Sequence, residues 1–302
     1  MAPEVGLAQV KATPVVAPRF APVRGNLRRR LRTLLMYLLL VCVSIVITGP
    51  IAYAVSQSLR PLREMNTYPP QLLPPHVTLE NFRRVFETIP FGMMIFNSFK
   101  IAALSTFGSL LSCSMAAYAF AQLHFVGRDR LFLLVLATMM IPGQVTSIPV
   151  FIIMRKIGWM DTHEALYVPA FFASAYGIFF LRQFFLSMSQ ELFDAARIDG
   201  SNPLNIYWQI VLPLAKPALA TLGVFGFIGS WNDLYGPAIY LTSWSKATLT
   251  LGLTMYVGRL ATETNLVIAG AVLSIIPSII LFTLTQNYFV RGIVIGGVGV
   301  KG

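Results

Sequence analysis

Thr33–Ser56, TLLMYLLLVCVSIVITGPIAYAVS, runs for twenty-four residues without a charged side chain. As an α-helix it reaches across the roughly 30 Å of bilayer hydrocarbon, so it reads as a membrane span. Composition agrees: 56% of the 302 residues are hydrophobic and 12% charged, against about a quarter charged in soluble domains. Further apolar runs near 97–121, 131–154, 165–185, 217–234 and 266–290 predict an all-α integral membrane protein of about six transmembrane helices. The short connections leave no room for a separate soluble domain. The chain divides into a tail, 1–32, and one transmembrane domain, 33–302, and six spans put both termini on one side.

The tail, rich in Pro and Ala and without helical periodicity, reads as mobile. A cleaved signal peptide is the competing reading. The first apolar run exceeds the usual 7 to 15 residue core of such peptides and lacks a clear cleavage site, so the span is retained. The net charge of +11 does not indicate nucleic-acid binding: seven of the 23 Lys and Arg precede residue 33, and Arg28, Arg29, Arg30 and Arg32 flank the first span. Such a block acts as a cytoplasmic anchor. With the amino terminus cytoplasmic, fourteen Lys and Arg lie inside and nine outside.

Between spans, 58–91 carries Pro69, Pro70, Pro74 and Pro75 and reads as an external loop ending in an amphipathic piece at 81–86. The second span is crowded with small residues, Ser105, Gly108, Ser109, Ser112, Ser114, Ala116 and Ala117, which let helices approach closely in lipid. The third is interrupted by IPGQVTSIP, 141–149, where Gln144 is either a pore-side group or a neighbour of a simple proline kink. Cys42 and Cys113 lie in apolar runs and read as core residues. His76, His124 and His163 fall in separate loops without metal-ligand spacing, so no metal site is expected. No GxxxxGK[ST] is present, and no catalytic residue or cofactor is assigned to the chain.

One charged stretch stands among the apolar ones: Glu191–Gly200, ELFDAARIDG. Ser189 is placed to cap a helix, Glu191 suits its positive end, and Gly200 can close it in the left-handed conformation. Leu192, Phe193 and Ala196 form one stripe. Asn202 and Pro203 then start a second helix, with Leu204, Tyr207, Trp208 and Val211 at helical spacing and Pro213 stopping the run. Two such helices either pack on their own bundle or dock into a groove on a cytoplasmic partner.

The pattern Asp194, Ala195, Ala196, three residues, Gly200, nine residues, Ile210, Val211, Leu212, Pro213 resembles the EAA loop of binding-protein-dependent ABC importer permeases, with Asp194 where the family carries Glu. NSFKIA at Asn97, AAYAFAQLHFVGRDRL at Ala116, FFLRQFFLSMSQEL at Phe179, SWNDLYGPAIYL at Ser230 and the ending QNYFVRGIVIGGVGVKG are similar to the carbohydrate branch. The resemblance spans residues 33–302 and implies a multi-pass subunit of a prokaryotic inner membrane. Its implied partners are a second permease subunit, a cytoplasmic ATPase dimer that holds ATP and Mg, and an extracytoplasmic sugar-binding protein. Loop 188–216 would be the coupling helix seated in the ATPase. Asp194, Arg197 and Asp199 would sit at the rim of its cleft, Ala195, Ala196 and Gly200 would be small enough to enter, and Glu191, Ile210, Leu212 and Pro213 would complete the coupling set. The same type of permease for a sugar-phosphate such as glycerol phosphate is the alternative, and an intramembrane enzyme or a membrane scaffold is a distant one.

Two further sites are expected. Trp231, Asn232, Asp233 and Tyr235, with Gln144, are candidates for the sugar path: Trp231 and Tyr235 share a face if the helix continues that far, and the polar pair supplies hydrogen bonds. An interfacial aromatic belt is the competing reading. In the external segment 236–265, Leu241, Thr242, Ser243, Trp244 and Ser245 are expected to reach the docked binding protein, as the resemblance implies; a plain connector is the alternative.

Overall fold

The computed structural model describes residues 27–65, 71–259 and 263–296. The reading of the tail over 1–26 and of the final motif over 297–302 lies outside them. Every regular element among the described residues is helical. The chain forms two compact units, 1–51 and 52–302.

Helix α1 (Leu27–Ser58) supplies the described part of the first unit. Its apolar side chains, including Leu34, Ile45, Val46 and Ile47, are exposed, as expected of a helix whose solvent is lipid. The hydroxyls of Ser44 and Thr48 donate back to the carbonyls of Leu40 and Ser44 at 2.8 and 2.7 Å, so neither is left unpaired in hydrocarbon.

The second unit continues through α2 (Glu80–Thr88), α3 (Phe91–Gln122), α4 (Arg128–Thr138), α5 (Gly143–Lys156), α6 (Glu164–Tyr167) and α7 (Ala175–Leu186). There follow α8 (Gln190–Ile198), α9 (Pro203–Ile206), α10 (Leu212–Leu214), α11 (Lys216–Trp231), α12 (Tyr235–Tyr240), α13 (Leu249–Arg259) and α14 (Thr264–Gly296). Among the described residues four helical stretches are long and apolar enough to cross a membrane: Arg29–Ser58, Phe91–Gln122, Glu164–Leu186 and Thr264–Gln286. Two bent pairs, α4 with α5 at 95° and Pro203–Leu214 with α11 at 76°, raise the number to six if each is one span.

Helix α3 is the centre, packed on α7 and α11. Its small residues permit this. The space a Cβ on Gly108 would take is filled by the Phe171 ring, and one on Gly177 would stand 2.6 Å from Cys113 Sγ. Any side chain at these positions would push the neighbouring segment away.

Two spans are less regular than their sequences suggest. The third breaks only at the start of IPGQVTSIP: α5 begins at Gly143 after an extended Pro142, and Pro149 lies inside the helix without ending it. Gln144 falls in the exposed first turn of α5. The fourth, predicted as one run, is interrupted between α6 and α7, where Ala173 takes a φ of 55°. The freed backbone is paired from α3: Ser112 Oγ accepts from Ala173 N–H at 3.1 Å, and Cys113 Sγ from Ser174 N–H at 3.2 Å. Non-helical backbone at that depth persists only with such partners or beside a cavity.

The two ends of α3 hold different structures. Near its start, Asn97 Nδ2 donates to the carbonyls of Ser245 and Ala247, both at 3.0 Å, and Ser98 Oγ accepts from Leu249 N–H at 2.8 Å. At its last residue, Gln122 Nε2 donates to the Phe185 carbonyl at 3.1 Å. Asn97 and Gln122 stand about 37 Å apart along the helix. The segments 59–65, 71–90, 157–163 and 232–248 therefore belong to one end of the bundle, and 123–127 and 187–215 to the other.

Candidate functional site

Helix α8 begins at Ser189, which holds the capping position with extended backbone but makes no side-chain capping bond. Its closure is as expected from Gly200, whose φ is 80°. Ser201 N–H donates to the Ala196 carbonyl at 2.9 Å and Gly200 N–H to that of Arg197 at 3.0 Å, the paired bonds of a Schellman end. After the turn, Asn202 Oδ1 accepts from Asn205 N–H at 2.8 Å and Pro203 takes the first helical position.

The inward stripe differs from the sequence reading. Phe193 and Ala196 are buried, whereas Leu192 is half exposed. On the second helix Ile206, Tyr207 and Val211 are buried, whereas Leu204 and Trp208 face outward. Leu204 and Trp208, four residues apart, share the outward face, and Ile206, Tyr207 and Val211 the inward one, the latter through a π-helical turn at Tyr207–Val211. Pro213 lies within α10 and the chain bends only at Ala215. Leu212 and Ile210 pack at the edge of the buried cluster. Tyr207 Oη pairs with Ser114 Oγ at 2.7 Å and Tyr118 Oη donates to the Pro203 carbonyl at 3.0 Å, so the loop is fixed to the end of α3.

What remains outside is a mixed face. Leu192, Ala195, Ile198, Leu204 and Trp208 are exposed, Ile198 by 85%, beside Glu191, Asp194, Arg197 and Asp199. Arg197 Nη1 bridges Asp194 Oδ1 at 3.0 Å. An apolar centre with charges at its edge is the composition of a protein docking surface.

The candidate path residues are not brought together. Helix α11 ends at Trp231, so Trp231 and Tyr235 do not share a helical face. Trp231 is 2% exposed, stacks on Phe227 at 5.9 Å and donates from Nε1 to the Ser274 carbonyl at 3.1 Å; it is a core residue here. Asn232 Nδ2 donates to the Ile228 carbonyl at 2.9 Å, and Asp233 Oδ1 accepts from Tyr235 N–H at 3.0 Å and Gly236 N–H at 3.3 Å. Tyr235 is exposed.

A cavity that sequence reasoning missed lies deeper. It holds about 230 Å³ between α3, α7 and α11, lined by Thr106, Ser109, Leu110, Ser174, Tyr176, Leu222, Phe225 and Gly226. The signal available in the sequence is the polar content of α3, which serves helix packing as well.

At the other end of the bundle, segment 241–246 is tied down by Asp161. Its Oδ1 accepts from the N–H groups of Thr242 and Ser243, both at 2.9 Å, its Oδ2 accepts from Ser243 Oγ, and Lys246 Nζ stands 3.4 Å from Oδ2. Leu241 is buried and Trp244 packs on the same cluster, leaving Thr242 and Ser245 exposed. The Ser243 hydroxyl, then the two backbone N–H groups and Lys246, hold the Asp161 carboxyl well below the usual carboxylate range. A carboxylate depressed on folding contributes stability that is complete above the unfolded value of about 3.9 and lost as pH falls through the folded one. Asp161→Asn is therefore expected to lower the melting temperature at every pH above about 4. The gap from the parent should close in more acidic buffer, and thermal melts of the detergent-solubilised chain across pH check it; a gap that persists unchanged below pH 3 would contradict the clasp.

His163 Nε2 stands 2.9 Å from the Lys246 carbonyl and its Nδ1 3.2 Å from Lys100 Nζ. Among the described residues no group of three His, Cys, Asp or Glu could hold a metal ion.

A family model described as the binding-protein-dependent transport system inner membrane component matches residues 108–295. The chain is 34% identical over 278 residues to the arabinooligosaccharides transport system permease protein of Halalkalibacterium halodurans, covering 90% of this chain and 99% of that one. It is 36% identical over 210 residues to the sn-glycerol-3-phosphate transport system permease protein of Yersinia enterocolitica, covering 69% and 74%. A chain of a bacterial ABC transporter involved in the import of the acidic polysaccharide alginate superposes with a TM-score of 0.77 at 28% identity, over 90% of this chain and 100% of that one.

Proposed function

This chain belongs to the family of binding-protein-dependent transport system inner membrane components, and on that premise we propose that it carries a sugar or oligosaccharide inward as one of two permease subunits. It is a transport subunit, not an enzyme. ATP and Mg belong to a separate cytoplasmic ATPase dimer that receives α8, and an external binding protein delivers the sugar to the opposite end. The observation that carries this reading is the mixed face of α8 and α9, held rigidly to α3 by Tyr118 and Tyr207 while Leu192, Ile198, Leu204 and Trp208 stay uncovered. Such a face transmits motion of a docked partner into the bundle, a bistable element biased by nucleotide.

Charge favours the same orientation. Arg128, Arg130, Arg182, Arg197 and Lys216 lie toward the α8 end and favour it as the cytoplasmic one. The alternative substrate, a sugar-phosphate, has the support of the glycerol-phosphate relative.

Reconstitution tests the proposal. Proteoliposomes holding this chain, its partner permease and the ATPase, supplied with binding protein, should take up labelled arabinotriose only with ATP inside the cell-side face. Omission of the ATPase should abolish uptake. Chemical turnover of a sugar by the purified chain alone would overturn the reading.

A further inference from the structure

Leu72 and Leu73 are 76% and 77% exposed, in a stretch, QLLPP at 71–75, that holds no charged side chain. Its carbonyls are taken up by the end of α1. Arg60 Nη2 donates to those of Gln71 and Leu73 at 2.8 and 3.2 Å, and Ser56 Oγ donates to that of Leu72. Pro74 and Pro75 have no N–H to pair. Arg60 is itself 1% exposed, a charge withdrawn from water to serve two carbonyls. A loop standing in water has its carbonyls solvated without that cost.

Depth points the same way. Ser56 lies in the last turn of the span Arg29–Ser58, two residues from its end, which is about 3 Å along the helix axis. Leu72, whose carbonyl it holds, is therefore level with the end of a helix that crosses hydrocarbon. Tyr53 and Val55 on the same end of α1 are exposed as well, and tyrosine is a residue of the membrane interface. Polar side chains return only from His76 on, with Glu80 and Arg83 exposed.

We propose that residues 71–75 form a lipid-binding anchor, with Leu72 and Leu73 set into the leaflet at this end of the bundle. Backbone that is not helical is admitted there when its polar groups are bonded within the protein, and Arg60 and Ser56 meet that condition for three successive carbonyls. The anchor bears on two further helices. Asn81 Nδ2 donates to the carbonyls of Ser58 and Arg60, both at 2.8 Å, and its Oδ1 accepts from Asn265 Nδ2 at 2.7 Å. Lipid contact at 72–73 thereby sets the height in the membrane at which α2 and α14 begin. Another subunit seated on the two leucines is the rival occupant.

The test attaches an environment-sensitive fluorophore to Leu72→Cys, to Leu73→Cys and, as a water-facing control, to His76→Cys. The background is Cys42→Ser with the buried Cys113 left in place. Each labelled chain is assembled into the complete importer in phosphatidylcholine and phosphatidylglycerol vesicles, with a doxyl group near the headgroup end of the acyl chain or with iodide in the buffer. At 72 and 73 doxyl lipid should remove more of the emission than iodide, and the emission maximum should lie to the blue of the label at 76, where iodide should remove more. Iodide quenching at 72 and 73 equal to that at 76 overturns the anchor in favour of a loop in water. Protection from both quenchers overturns it in favour of a covering subunit. A label-free readout is Leu72→Asp with Leu73→Asp in the chain alone in lipid nanodiscs, which should lower the melting temperature by roughly 2 °C or more. Two exposed leucines in water would leave it unmoved, and an unmoved melt overturns the proposal.

Discussion

Valine in place of Gly200 is expected to leave the protein inserted and assembled while ATP-driven uptake falls by at least about tenfold, a loss worth one step of about 1.4 kcal/mol in coupling. Gly200 sits at a φ of 80°, and a Cβ there would meet nothing within 4 Å. The penalty is therefore conformational rather than steric, about 1–2 kcal/mol for a side chain forced into the left-handed region and more for a β-branched one. That strain falls on the two bonds that close α8, from Gly200 and Ser201 to the carbonyls of Arg197 and Ala196. With only nine residues, α8 has no reserve of internal bonds to keep its axis if the last turn opens. The exposed Ile198 and the Arg197–Asp194 pair would then lose their fixed positions against the partner. Asparagine tolerates the left-handed region, so Gly200→Asn should retain most uptake. Uptake and membrane yield of both variants measured side by side decide it. Normal uptake by Gly200→Val, or equal loss in the asparagine variant, removes the turn from the coupling mechanism.

The parts of the fold that were legible in the sequence are those set by neighbours along the chain. The α8–α9 turn follows from Gly200, Asn202 and Pro203, each acting within four residues, and the spans follow from unbroken apolar runs. What escaped depends on contacts between distant segments. Nothing local to Asp161 announces that it will clasp residues 242–246, eighty positions on. The break at Ala173 is sustained by Ser112 and Cys113 of another helix. Trp231 misled for the same reason: a tryptophan near a span end reads equally as a ligand platform, a belt residue or core. Only its bond to Ser274 and its stacking on Phe227 place it in the core. Which row faces inward, Tyr207 with Val211 or Leu204 with Trp208, is likewise settled by what packs on it, Ser114 and Tyr118 of α3.

The same clasp changes how the external segment should be tested. Deleting 242–245 would remove Ser243 from Asp161 and Trp244 from its cluster, and lost transport would then report damage to the bundle. The exposed positions Thr242 and Ser245 can instead be changed without touching either anchor. Thr242→Arg with Ser245→Arg puts two long cations on the surface proposed to meet the binding protein. Basal ATPase activity of the assembled importer should stay at the parent value, because the anchors of the α8–α9 loop on α3, Ser114 and Tyr118, lie about 26 to 32 Å from Asn97 along the helix. Stimulation by liganded binding protein should fall several-fold, and uptake with it, since an unpaired charge carried into an interface must be desolvated without a partner. Melting temperature should not move, as both side chains already face water. Asp161→Asn gives the complementary pattern: it loosens the segment from within, so melting temperature and stimulation should fall together. If the double arginine variant is stimulated and transports like the parent, segment 241–246 is a connector held by Asp161, and the binding protein docks elsewhere on that end of the bundle.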